Sequence, residues 1–156
     1  MKIIKNLKWM LLLALAPMFA SCSWEDLPSY EDANIEGIAF YYRYASPTDK
    51  DPITGEPIIR NTQLSISEVS IDQNAGTVTV AVRANPDNFP ESVYNNIGLN
   101  NLVCAVTLST AARIQKADNH KDLGLPDDWS SPHVFTVMAA NGTTKKWTIT
   151  VTGLEK

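Results

Sequence analysis

Chemistry in this chain begins with a thiol. Cys22 follows Phe19-Ala20-Ser21, which closes an apolar core begun at Trp9, and Lys2, Lys5 and Lys8 supply a basic start. That order is a secretory signal ending in a lipidation box. The apolar run is broken by Pro17 and falls short of the ~20 residues that span a bilayer. Residues 1–21 are therefore expected to be removed as a signal peptide, leaving Cys22 acylated as lipidation site and membrane anchor. A soluble secretory signal cleaved near Ala20 is the competing reading. Basic start, core length and small residues before the cysteine agree on lipidation.

The other candidate groups are sparse. Cys104 lies in Leu102-Val103-Cys104-Ala105-Val106-Thr107-Leu108, whose alternation sets it on an inward face with Leu102, Val106 and Leu108. Without a basic neighbour to stabilise a thiolate, it is expected to be buried and inert. With Cys22 acylated, Cys104 has no partner, so the exported domain folds without a disulfide. The two histidines, His120 and His133, fit no spacing such as H-E-x-x-H, and neither a G-x-S-x-G elbow nor a phosphate-cradling loop occurs. Asp49-x-Asp51-x-x-x-Gly55-Glu56 has oxygen ligands and a glycine but lacks the closing geometry of an EF-hand, so a solvated acidic loop is expected. Asp51 would meet Asp127 or Asp128 only through folding. No metal, no cofactor and no catalysis are expected.

Aromatic residues carry the stronger signal. A sugar presents a flat C–H face bordered by hydroxyls, so its receptor pairs an exposed Trp or Tyr with Asp, Asn or Arg. Trp129 in Pro126-Asp127-Asp128-Trp129 has this chemistry, as do Tyr41 and Arg43. Ligand-binding candidates are thus Trp129, Asp127, Asp128, Tyr41 and Arg43. The opposing reading folds Trp129 back as a plug over the end of the core.

These residues need a scaffold, and the composition describes one. All 17 acidic residues follow the signal while three of 13 basic ones lie within it, so the mature chain carries 10 basic against 17 acidic groups, a net −7. Nucleic acid is not an expected partner of such a surface. Residues 22–34 form an acidic tether containing Glu25, Asp26, Glu31 and Asp32. Ser23–Asn34 spans at most ~40 Å when extended. Acidic residues soon after a lipidated cysteine resemble the export signal that carries lipoproteins to the exterior of the outer membrane in polysaccharide-degrading Gram-negative bacteria.

From residue 35 onward the chain is β-rich. Ile38, Phe40, Tyr42 and Tyr44 alternate with Ala39, Tyr41 and Arg43, the period of a half-buried strand. Residues 46–57 read as a long loop. A strand region at 58–71 changes phase near Ser67-Glu68, as a bulge requires. Asp72–Gly76 is a turn, and Thr77–Val82 is a strand with its valines on one face. One short helical turn fits Glu91–Asn95, a strand follows at Leu102–Leu108, a short piece at Ala112–Ile114, and residues 115–132 form a loop of functional length. Strands at Val134–Ala139 and Thr144–Thr152 meet at Ala140-Asn141-Gly142-Thr143. A two-residue loop there would place Phe135 and Val137 opposite polar positions. A three-residue loop with Gly142 left-handed sets Phe135 against Trp147 and buries Val137, Ile149 and Val151 together. Six to eight short strands without a globular helix make the domain, residues 35–156, all-β, a single antiparallel sandwich.

The segment His133–Thr152, with its Asn141-Gly142-Thr143-Thr144 turn, resembles the closing hairpin of immunoglobulin-like or cadherin-like modules of bacterial surface lipoproteins. Leu108-Ser109-Thr110-Ala111-Ala112-Arg113-Ile114 is similar to the strand and turn that precede it there. With Val69–Val82, the likeness covers most of residues 64–152. It implies an immunoglobulin-like sandwich with no catalytic residues to transfer, in modules that bind glycans or act as spacers. No Trp packs on a Cys–Cys bridge, so it is not an antibody-type domain. The tyrosine-rich first strand and the 46–61 segment depart from the pattern, and specificity would have to lie in them. The expectation is an outer-membrane lipoprotein facing the cell exterior, a non-catalytic module capturing glycan. The alternative is a structural or assembly protein packing on an outer-membrane partner.

Overall fold

Alternating apolar residues build the strands that cover the core. The computed structural model describes residues 30–156; the signal 1–21, Cys22 and the tether through Ser29 lie outside the described residues. Nine strands follow: β1 (Ile35–Lys50), β2 (Pro57–Gln63), β3 (Ser65–Asp72), β4 (Thr77–Arg83), β5 (Leu102–Leu108), β6 (Arg113–Lys116), β7 (Pro126–Asp127), β8 (His133–Met138) and β9 (Thr144–Glu155). They form a four-stranded sheet, β2-β1-β5-β7, and a five-stranded sheet, β3-β4-β9-β8-β6. One helical turn, Glu91–Tyr94, lies between β4 and β5, where expected.

Both sheets turn their apolar faces to one core. Phe40, Tyr42, Leu102 and Cys104 come from the first; Val78, Val80, Val82, Phe135, Val137, Trp147 and Ile149 come from the second. Period-two alternation delivers this directly, because every second side chain points to the same face. Burial also pushes the Cys104 thiol far above its ordinary pKa, so it stays protonated and inert. The indole N–H of Trp147 donates to the Ala33 carbonyl at 2.9 Å and so joins the start of the described chain to the core.

The closing hairpin has the expected register. Phe135 pairs with Trp147, Gly142 has φ 88°, and Ala139 N–H donates to Thr143 O at 2.8 Å across a three-residue loop. The turn at Asp72–Gly76 is also as expected: Asp72 Oδ1 accepts from the N–H groups of Asn74 (2.8 Å) and Ala75 (2.9 Å).

Four expectations need correction. The domain is not wholly antiparallel, because β4 and β9 run parallel, with Val78 beside Ile149. Alternation has the same period in either orientation and so cannot report direction. Residues 46–57 are not all loop: β1 continues to Lys50 and pairs with β2. Its one buried residue is the polar Ser46 and the rest is mostly solvated, so this extension has no apolar alternation to betray it. The region 58–71 is two strands in different sheets, joined at buried Leu64, whose N–H donates to Phe40 O at 2.9 Å. The bulge is nevertheless present, between Ile66 and Glu68. Within 115–132, β6 runs to Lys116 and β7 pairs with β5.

Candidate functional site

The long loop between β6 and β8 crosses from one sheet to the other and back. Leaving the five-stranded sheet at Lys116, it touches the four-stranded sheet as β7, where Asp127 pairs with Leu102, and rejoins at His133. Its sharp return is held by Asp128, whose Oδ1 accepts from Ser130 N–H at 2.9 Å. This return drives Trp129 inward, leaving it 2% exposed. Phe40 meets the indole ring edge-on at a centroid distance of 5.0 Å, and His133 lies flat on it at 3.9 Å. The indole N–H donates to Leu102 O at 3.1 Å. Trp129 is therefore the plug and not an exposed platform. With an apolar ring and a single N–H to satisfy, the interior offers it more than water does.

Around the plug lies a polar cluster. His120 stacks on the other face of His133, at 3.6 Å and 14° between planes, making a three-ring column with Trp129. His133 is fully buried, and its Nε2 lies 2.7 Å from the Asp128 carbonyl oxygen. A carbonyl can only accept, so Nε2 carries the proton in that bond. Nδ1 has no hydrogen-bond partner. Asp127 Oδ2 accepts from Lys121 N–H at 2.7 Å and stands 3.8 Å from His120 Nδ1. Asp118 accepts from His120 N–H and, at 2.6 Å, from Val134 N–H. Burial alone would raise the Asp127 and Asp118 carboxyls. The backbone N–H groups that each accepts, with the nearby imidazoles, hold both below the ordinary carboxylate value. Ligand atoms of His120, Asp127 and His133 all lie within 4.8 Å of one another. These histidines, thirteen residues apart, escape any linear motif, and only the loop's return brings them together.

Tyr41 and Arg43 lie elsewhere. They are half-buried on β1, on the face opposite Phe40 and Tyr42, so the five candidate residues do not form one site. Arg43 is committed to the scaffold: its Nε donates to Asn61 Oδ1 at 2.8 Å and its guanidinium to Gly124 O at 3.1 Å. Tyr41 sits between Gln63 of β2 and Val103 of β5. One of these neighbours is polar and the other apolar.

The segment that departed from the family pattern forms the most exposed feature. β1 pairs with β5 only through Tyr42, whereas its pairing with β2 continues to Lys50. Beyond Tyr42 the two strands form a ribbon, and β2 is the sheet's edge. The turn is closed by Asp51, whose Oδ1 accepts from Ile53 and Thr54 N–H, with Gly55 at φ 75°. Asp49 is engaged by the Arg60 guanidinium at 2.7 Å. The carboxylates considered for calcium are thus occupied by the arm's own bonds. Ile53, Ile58 and Ile59 are solvent-facing, at 92%, 39% and 61% exposure.

Residues 35–150 match the DUF5018-related family. A solved structure of a Bacteroides fragilis protein described as secreted is 40% identical and superposes with a TM-score of 0.72, covering 83% of this chain and 100% of that one. A Bacteroides thetaiotaomicron protein described as a glycoside hydrolase matches at 20% identity and a TM-score of 0.44, over 81% of this chain and 26% of its own. No curated protein matches. Matched over most of its length, the chain belongs to the DUF5018-related family.

Proposed function

We propose that this chain is a lipid-anchored outer-membrane protein facing the cell exterior, an immunoglobulin-like module that works by binding, with the β1–β2 arm as the surface that meets another envelope protein. The arm carries this reading. The base of the arm is anchored by Tyr44 against Phe89, but its outer part has no third strand, and an unpaired edge with exposed isoleucines is a template for a further strand. Three large apolar side chains on one arm favour a protein surface over a sugar. The location is supported by the signal pattern before Cys22 and by the secreted relative. A non-catalytic role is supported by the inert Cys104 and by loop carboxylates already bound to backbone N–H groups.

The test is site-specific photo-crosslinking in the native cell, with the reactive residue at Ile59 and, as control, at exposed Lys146. A discrete protein adduct at Ile59 alone is expected. No adduct, or the same adducts from both positions, overturns the arm as the binding surface.

Glycan capture is the second reading, favoured by one observation: half-buried Tyr41 has Gln63 opposite it and Arg43 and Asn61 nearby. If this face stacks on sugar, a glycan array binds the wild type and Tyr41→Ala weakens that binding about ten- to hundredfold. An array blank for the wild type removes this reading.

A further inference from the structure

We propose that His120, Asp127 and His133 bind a divalent transition-metal ion of the zinc class, which staples the long loop to both sheets. Two observations carry this independently. The first is convergence: two imidazoles and one carboxylate, from a loop, a strand of the four-stranded sheet and a strand of the five-stranded sheet, bring ligand atoms within 4.8 Å. Two nitrogen donors and one oxygen suit zinc better than calcium or magnesium, which take oxygen. The second is the orphaned Nδ1 of His133, a polar atom with no partner on a fully buried ring. Buried polar groups are ordinarily satisfied. Because Nε2 donates to the Asp128 carbonyl, Nδ1 holds the free lone pair, the form a metal requires. Metal-bound histidines are held in this way, the second nitrogen donating to a backbone carbonyl or carboxylate.

One rearrangement is needed. Imidazole lone pairs lie in the ring plane, and the planes of His120 and His133 are 14° apart at 3.6 Å, so their lone pairs do not converge on one point. Bonds of ~2.1 Å around a tetrahedral ion also require donors about 3.4 Å apart. His120 supplies the movement. It is half-buried on the loop, with Asp127 at 3.8 Å as its polar neighbour, whereas His133 is locked between its hydrogen bond and Trp129. Turning His120 out of the column toward Asp127 closes the site. The fourth position is left to water.

The experiment uses the full chain without a histidine tag, purified in detergent, stripped with chelator and titrated with Zn²⁺ by calorimetry and thermal unfolding. One ion per chain and a higher Tm are expected, because a ligand that binds only the folded state stabilises it. His120→Ala and Asp127→Asn are each expected to weaken binding about a hundredfold, since a lost ligand costs no less than a lost outer-shell partner. Metal-free His120→Ala should keep a single cooperative unfolding transition, lowered by the loss of its stacking on His133, which separates ligand loss from misfolding. Substitution with Co²⁺ should give visible absorption that both variants lose. Absence of saturable Zn²⁺ binding, or binding that persists undiminished in both variants, overturns the site.

Discussion

At the scale of single residues, Trp129 shows how one side chain admits opposite readings until its surroundings are known. Its neighbours Asp127 and Asp128 look like the polar rim of a sugar site. Folded, Asp127 accepts backbone N–H groups and Asp128 holds the return that buries the indole. Trp129 touches Phe40 and His133 and satisfies its N–H on Leu102. Trp129→Ala is accordingly expected to cost about 3–5 kcal/mol, measured by denaturant unfolding of the metal-free chain. A near-neutral result would mean that the ring spends its time outside the core. The neighbouring His120 and His133 were equally opaque in sequence, because their meeting depends on the same return and on no local spacing.

Elements were legible where one face is dry. β4, β8 and β9 up to Val151 alternate because each covers the core on one side, and β9 shifts phase beyond Val151. Parity therefore selected the three-residue loop and the opposition of Phe135 and Trp147. The arm was not legible, since beyond Tyr44 its inward positions are polar and its tip is solvated, which leaves no apolar period. Its length became visible only from the β1–β2 pairing. Turn glycines allow a graded test. Gly142 has positive φ, with no atom within 4 Å of an added Cβ, whereas Gly76, also at positive φ, would drive a Cβ into the Lys146 carbonyl. Gly142→Ala is expected to cost about 1–2 kcal/mol from conformation alone. Gly76→Ala should cost clearly more, because backbone of β9 must move as well. Equal losses of stability would show that the β4–β9 approach leaves room for a Cβ at position 76.

At the scale of the whole molecule, the address and the body are separate problems. If Cys22 is the anchor, Cys22→Ser should abolish fatty-acid labelling and release the chain from membranes while thermal unfolding of the domain stays the same. Labelling that survives the substitution defeats the anchor. The all-β class, most strand positions, the inward face of Cys104 and the closing register were determined by sequence alone, because each follows from local alternation and turn chemistry. Only the tertiary structure decided that β4 and β9 run parallel, that β2 and β3 part at Leu64 into different sheets, that Trp129 is a plug, and that His120, Asp127 and His133 share one corner. Those features rest on which strands become neighbours and where a long loop returns. They are set by contacts between residues far apart in the chain, and periodicity within a strand contains no record of them.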